Sequence, residues 1–93
     1  MNNLGKVLTE IEEELDRAVN KFPTWPTDPL HAVAVLGEEF GELTQATLQT
    51  IYEPDKSNIQ EVRQEAIQTA TMAIRFLLSI NEYEFERGIQ HEQ

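Results

Sequence analysis

The chain contains no cysteine. Disulfide staples and thiolate metal sites are therefore excluded, and a reducing, cytoplasmic location is expected. Basic residues are scarce too. Seven Lys and Arg face seventeen Asp and Glu, a formal charge of −10. A direct nucleic-acid binder carries a basic stripe, and none is present. An anionic ligand is compatible with this charge only if a cation comes with it. No stretch has the apolar length of a membrane span, and the opening "MNNLGKVLTEIEEEL" lacks the basic start and apolar run of a signal peptide. There is no strand-like alternation, no internal repeat and no low-complexity tract. What is present is ordinary for a folded protein: 93 residues, 40% apolar and 26% charged. That length makes one domain, near the lower end of what holds a core unaided.

The apolar residues recur at helical spacing. Leu4, Val7, Leu8, Ile11, Leu15, Ala18, Val19 and Phe22 predict an amphipathic first helix over residues 3–22. Glu13 and Arg17, four apart, are expected to pair on its wet face, and the run Glu12-Glu13-Glu14 reads most simply as solvated, with Glu14 the nearest of the three to the apolar stripe. "FPTWPTDP" cannot continue a helix, and Asp28-Pro29 supplies a capping carboxylate and a first-turn proline for the next one. The second helix is predicted over 29–52 and the third over 59–79, capped by Ser57 or Asn58. Ser79-Ile80-Asn81-Glu82 has the form of a capping box, so a short fourth helix carrying Tyr83, Phe85 and Ile89 is expected. The terminal "QHEQ" is expected to fray. The fold class is all-α: an antiparallel bundle of three long helices plus a short C-terminal one.

The stretch "LGEEFGELTQA" places Glu38, Glu39 and Glu42 within five residues, among Leu, Phe and Ala. At 100° per residue, Leu43, Phe40, Thr47 and Val33 fall within roughly 60° of Leu36, and Glu39 falls about 60° to the other side, beside Ala32, Val35 and Ala46. Glu42 follows about 60° further round, and Glu38 lies beyond it. On the third helix the main apolar stripe is Ile59, Val62, Ala66, Ala70, Ala73, Ile74 and Leu77. Glu65, Gln68 and Met72 form a second strip, with Phe76 and Glu61 close by. Two antiparallel helices can turn these strips toward each other, gathering Glu39, Glu42, Glu65 and Gln68, with Glu38 and Glu61 at the rim. Burying ionised carboxylates without partners is costly, and Arg63 and Arg75 cannot neutralise them all. A divalent cation can, and an all-oxygen donor set suits Mg²⁺, Mn²⁺ or Ca²⁺ rather than Zn²⁺. A di-iron carboxylate bundle would want Glu-x-x-His on two helices; neither His31 nor His91 has Glu three residues before it.

Glu38-Glu39-x-x-Glu42 followed by Glu65-x-x-Gln68 resembles the MazG-like nucleoside triphosphate pyrophosphohydrolases of the all-α NTP pyrophosphatase superfamily, whose pattern is EExxE and then ExxD. The likeness covers residues 28–78, including "LGEEFGELTQA" and "EAIQTATMAIRFL", and the lead-in "WPTDP" also fits. It implies Mg²⁺-dependent hydrolysis of (deoxy)nucleoside triphosphates to the monophosphate and pyrophosphate, in a nucleotide house-cleaning role. Mn²⁺ is the other cofactor to consider. Carried over residue by residue, the metal ligands are Glu39, Glu42, Glu65 and Gln68, and the remaining glutamate of the motif is Glu38. Glu38 or Glu39 would orient and deprotonate water. Gln68 departs from the Asp of the pattern. Its amide oxygen can still coordinate, with one negative charge fewer, and Glu61 one turn earlier is placed to compensate.

Trp25 is a candidate for stacking on a base and equally for anchoring its proline-stiffened loop. Lys56 and Arg75 are candidate phosphate contacts, and Glu61 completes the expected substrate-binding set. His31 is expected to be an ordinary surface or satisfied histidine. The resemblance implies a homo-oligomer, dimer or tetramer, with sites near subunit interfaces, and helices apolar nearly all round need such cover. Two other readings stay open: phosphoribosyl-ATP pyrophosphohydrolase, of the same superfamily, and a non-catalytic helical module that binds nucleotide or a partner through a decayed site.

Overall fold

In the computed structural model, which describes residues 3–86, three α-helices account for most of the chain: α1 Leu4–Lys21, α2 Pro29–Tyr52 and α3 Ile59–Leu78. The described residues contain no strand, so the fold is all-α as expected. No helix among them is long and apolar enough to cross a membrane. The helix starts follow the local chemistry. The Asp28 side chain accepts from the Leu30 amide at 2.9 Å, with Pro29 at the first helical position. Asn58, rather than Ser57, caps α3, accepting from the Glu61 amide at 3.0 Å.

α3 lies in the middle and α1 does not touch α2: no Cα of α1 comes within 8 Å of one in α2. Glu10 meets Arg63, Glu14 meets Gln68 and the Phe22 carbonyl meets Arg75. Both members of these pairs advance together, so α1 and α3 run parallel. α2 runs the other way, with Val33 near Phe76 at one end and Ala46 near Glu61 at the other. The expectation that neighbouring helices are antiparallel therefore holds for α2 and α3 but not for α1 and α3. The reason is that α1 packs on the third helix rather than on the one that follows it. The outcome is a groove between α1 and α2, floored by α3.

The interior is thin and made of small side chains. Ala18, Ala32, Ala46, Ile67 and Met72 are buried, and Thr71 is fully so. The Thr71 hydroxyl is satisfied by donating to the Ile67 carbonyl at 2.8 Å. On α3 the buried face is Ile67, Thr71, Met72 and Arg75. The predicted main stripe from Ile59 to Leu77 is not the interior. It is half-buried or exposed throughout, with Ile59 68% exposed. α3 turns its mixed face into the groove, so its most apolar stripe is left outward.

Two further expectations are corrected. Glu12 and Glu13 are exposed, but Glu14 is buried, and Arg17 pairs with Glu14 at 2.6 Å rather than with Glu13. Glu14 is spaced three residues from Ile11 and four from Ala18, which puts it on the apolar face. There is also no fourth α-helix in the described residues. Ser79 ends α3, its amide donating back to the Arg75 carbonyl, and only a 3₁₀ turn, Ile80–Glu82, follows. Tyr83 is drawn down instead. Its hydroxyl accepts from the Trp25 indole at 2.7 Å and donates to the Phe76 carbonyl at 3.2 Å, while the Glu84 amide donates to Thr27. The chain thus crosses the 22–28 loop as an extended strap. Ile89, His91 and the "QHEQ" end, for which the sequence predicts helix and then fraying, lie outside the described residues.

Candidate metal centre

The acidic strip of α2 does face α3. Ala32 and Ala46, its small apolar neighbours, are buried, and this close approach brings Glu39 and Glu42 to Glu65. One carboxylate oxygen from each lies within 4.8 Å of the other two. Glu39 and Glu65 are half-buried and Glu42 is exposed. Oε1 of Glu65 is buried with no hydrogen-bond partner. Nearby, Ser57 is buried and its Oγ is likewise unpartnered. A buried oxygen without a donor is rare and costly.

The electrostatics agree with the crowding. Burial, then the charges of Glu42, Glu65, Glu38 and Glu14, push the Glu39 carboxyl above its ordinary value. Burial, then the charge of Glu42, does the same to Glu65. No ion pair among the described residues gives them a cation: Arg63 is engaged by Glu10, Arg17 by Glu14 and Lys56 by Glu53.

The carboxylates stand between two crevices. One, of about 460 Å³, is lined by Glu39 and Gln68 together with Glu14, Arg17, Trp25 and Arg75. The other, of about 350 Å³, is lined by Glu42 and Glu65 together with Gln49, Lys56, Ser57 and Glu61.

The remaining predicted residues are placed as follows. Glu38 is exposed on α2, outside the three-carboxylate group, and its charge is felt at Glu39. Glu61 sits in the first turn of α3, in the second crevice. Lys56 lies there too, 2.7 Å from Glu53. Gln68 turns its amide nitrogen to Glu14, donating to Oε2 at 2.7 Å. Arg75 is buried, donates to the Phe22 carbonyl at 2.9 Å, and lies 4.8 Å from the Trp25 ring centroid. Trp25 is therefore covered on one face by Arg75 and tied at its edge to Tyr83, the geometry of a loop anchor. His31 is exposed.

Glu14 is the member of this neighbourhood not expected at the site: it lies nearest the apolar stripe of its acidic run and is buried rather than solvated. Its signal was available: Val7, Ile11, Glu14 and Ala18 share one helical face, so the glutamate interrupts an apolar row. No protein-family model, no curated protein and no solved structure gives a significant match to this chain.

Proposed function

We propose that this chain is a divalent-cation-dependent nucleoside triphosphate pyrophosphohydrolase, releasing pyrophosphate and the monophosphate in a house-cleaning role. The observation that carries the reading is the meeting of Glu39, Glu42 and Glu65 from two helices, with Oε1 of Glu65 buried and unpartnered. A Mg²⁺ ion fits this donor set: all oxygen, more anionic than the surrounding cations offset, and next to open crevices. Mn²⁺ fits on the same grounds. Glu39, Glu42 and Glu65 would hold the ion, with Gln68 beside them. When bound, the ion screens the phosphates and stabilises charge that develops on them. Glu38, exposed on the rim outside the three-carboxylate group, or Glu39 would take a proton from water. The resemblance to the MazG-like enzymes in EExxE and the following ExxQ supports the substrate class.

The same reading includes self-association. α2 is apolar on two opposite faces. One packs on α3; the other carries Leu30, Val33, Phe40, Leu48 and Ile51, all exposed. Gly37 and Gly41 lie on that outward side, and a Cβ at either would meet nothing within 4 Å. A glycine inside a helix costs about 1 kcal/mol relative to alanine, and nothing within one chain calls for it here. A second copy whose helix approaches closely along this ridge would.

The deciding assay measures pyrophosphate release from a panel of ribo- and deoxyribonucleoside triphosphates, with phosphoribosyl-ATP included, with and without Mg²⁺. Release from at least one triphosphate, abolished by EDTA and by Glu42→Gln, is expected. Release confined to phosphoribosyl-ATP would move the assignment to that substrate. No release from any of them would leave the binding-module reading standing.

A further inference from the structure

Position 68 is where the chain departs from the pattern its acidic residues resemble, and the group facing it comes from α1. Glu14 is more than nine-tenths buried. Its Oε1 accepts from Arg17 at 3.0 and 2.6 Å, and its Oε2 accepts from the Gln68 amide nitrogen at 2.7 Å. A carboxylate only accepts hydrogen bonds, so glutamine must present its NH₂ to α1 and keep its carbonyl oxygen on the other limb of the planar amide. Glu14, Gln68 and Glu39 line the same crevice, and the charge of Glu14 acts on Glu39. An aspartate at 68 would set a second carboxylate against Glu14, in a place already holding Glu39, Glu42 and Glu65. The one counter-ion bonded to Glu14, Arg17, is largely exposed.

We infer that Glu14 is a positioning residue of this site: it orients the Gln68 amide and sets the neutral side chain at position 68. An acid at 14 and an acid at 68 exclude each other. Gln68 is then matched to α1 rather than being the mark of a decayed site. The inference rests on the divalent-cation reading of Glu39, Glu42 and Glu65.

The test uses the full chain as wild type, Gln68→Asp, Glu14→Gln and the double variant. Two quantities are read on each: the thermal midpoint in EDTA, and Mn²⁺ affinity by calorimetry. Gln68→Asp is expected to lower the midpoint by roughly 4–8 °C and to bind Mn²⁺ no more tightly than wild type. Glu14→Gln, whose carbonyl can still accept from Gln68, is expected to keep both near wild type. In the double variant the midpoint recovers most of its loss and Mn²⁺ binds about tenfold more tightly, because the added carboxylate is no longer opposed. Gln68→Asp gaining Mn²⁺ affinity at an unchanged midpoint would overturn the inference while leaving the metal reading intact. Midpoints that couple while all four affinities stay equal would reduce Glu14 to a structural role and also overturn it. Wild type failing to take up Mn²⁺ would instead bring down the metal reading, and the positioning role with it.

Discussion

The Trp25 indole donates to the Tyr83 hydroxyl at 2.7 Å, across 58 residues of sequence. Tyr83 is buried, passes the hydrogen bond on to the Phe76 carbonyl, and stacks its ring 4.8 Å from that of Phe76. This chain of contacts holds the C-terminal strap on the loop between α1 and α2. Tyr83→Phe keeps the packing and strands the indole N–H. A loss of about 1–3 kcal/mol in urea unfolding is expected, with pyrophosphate release at saturating substrate unchanged.

Arg75 separates two roles. If it contacts phosphate, Arg75→Lys should raise KM and leave stability alone. Its burial and its bonds to the Phe22 and Thr24 carbonyls argue for the loop. Both bonds leave one guanidinium nitrogen, Nη2, at 2.9 and 3.4 Å, and lysine lacks the planar group that also covers the Trp25 ring. We therefore expect Arg75→Lys to lower the unfolding free energy by about 1.5–3 kcal/mol, with KM unchanged and the apparent kcat falling only with the folded fraction.

The acidic cluster gives the metal-free protein a definite pH dependence. Burial and the crowding of neighbouring carboxylates raise the Glu39 and Glu65 carboxyls above their ordinary value in the folded state. The folded state therefore binds their protons more tightly than the unfolded state does. Their contribution to stability falls as pH rises from that unfolded value through the raised folded value, and the full penalty stands above it. Glu10, held down by Arg63, acts oppositely: its support is present above the unfolded value and lost as pH falls through the folded one. In EDTA at pH 7–8, Glu65→Gln should be more stable than wild type, and the gap should close toward pH 4. Thermal midpoints across that range check this. A wild type that is the more stable of the two at pH 8 would contradict the crowding.

Cation binding should offset that penalty. At a Mg²⁺ concentration 100 times the dissociation constant, a stabilisation of about 2.7 kcal/mol is expected for wild type and none for Glu42→Gln. Urea titrations with and without the ion give both numbers.

Gly37 and Gly41 test the outer ridge of α2. In a monomer, alanine at either would stabilise the helix by up to about 1 kcal/mol, since its Cβ meets nothing. If a second copy packs closely there, the double alanine variant should weaken association instead. Light scattering across a dilution series, with Phe40→Glu as the disruptive control, distinguishes the two.

Legibility differed residue by residue. Asp28-Pro29 marked the start of α2 because a cap acts within two residues of itself. Glu39, Glu42 and Glu65 came together as their helical strips suggested, since the small residues beside them, Ala32 and Ala46, let α2 pack directly on α3. The same periodicity points to Ile59 and Leu77 as core, yet both are exposed, and it puts Glu14 nearest the apolar stripe of its run without showing that it is buried. A helical wheel ranks the faces of one helix. It does not say which neighbour each face will meet.

The sequence by itself determined three helices, the cap of α2, and the acidic rows that α2 and α3 each carry, because capping and periodicity operate over one or two turns. Only the tertiary structure decided that α3 is central, that α1 lies parallel to it and delivers Glu14 to Gln68, and that Tyr83 locks Trp25. Those outcomes depend on contacts 53 to 58 residues apart in the chain. No local pattern encodes them, since each is won by the packing of whole helices against one another.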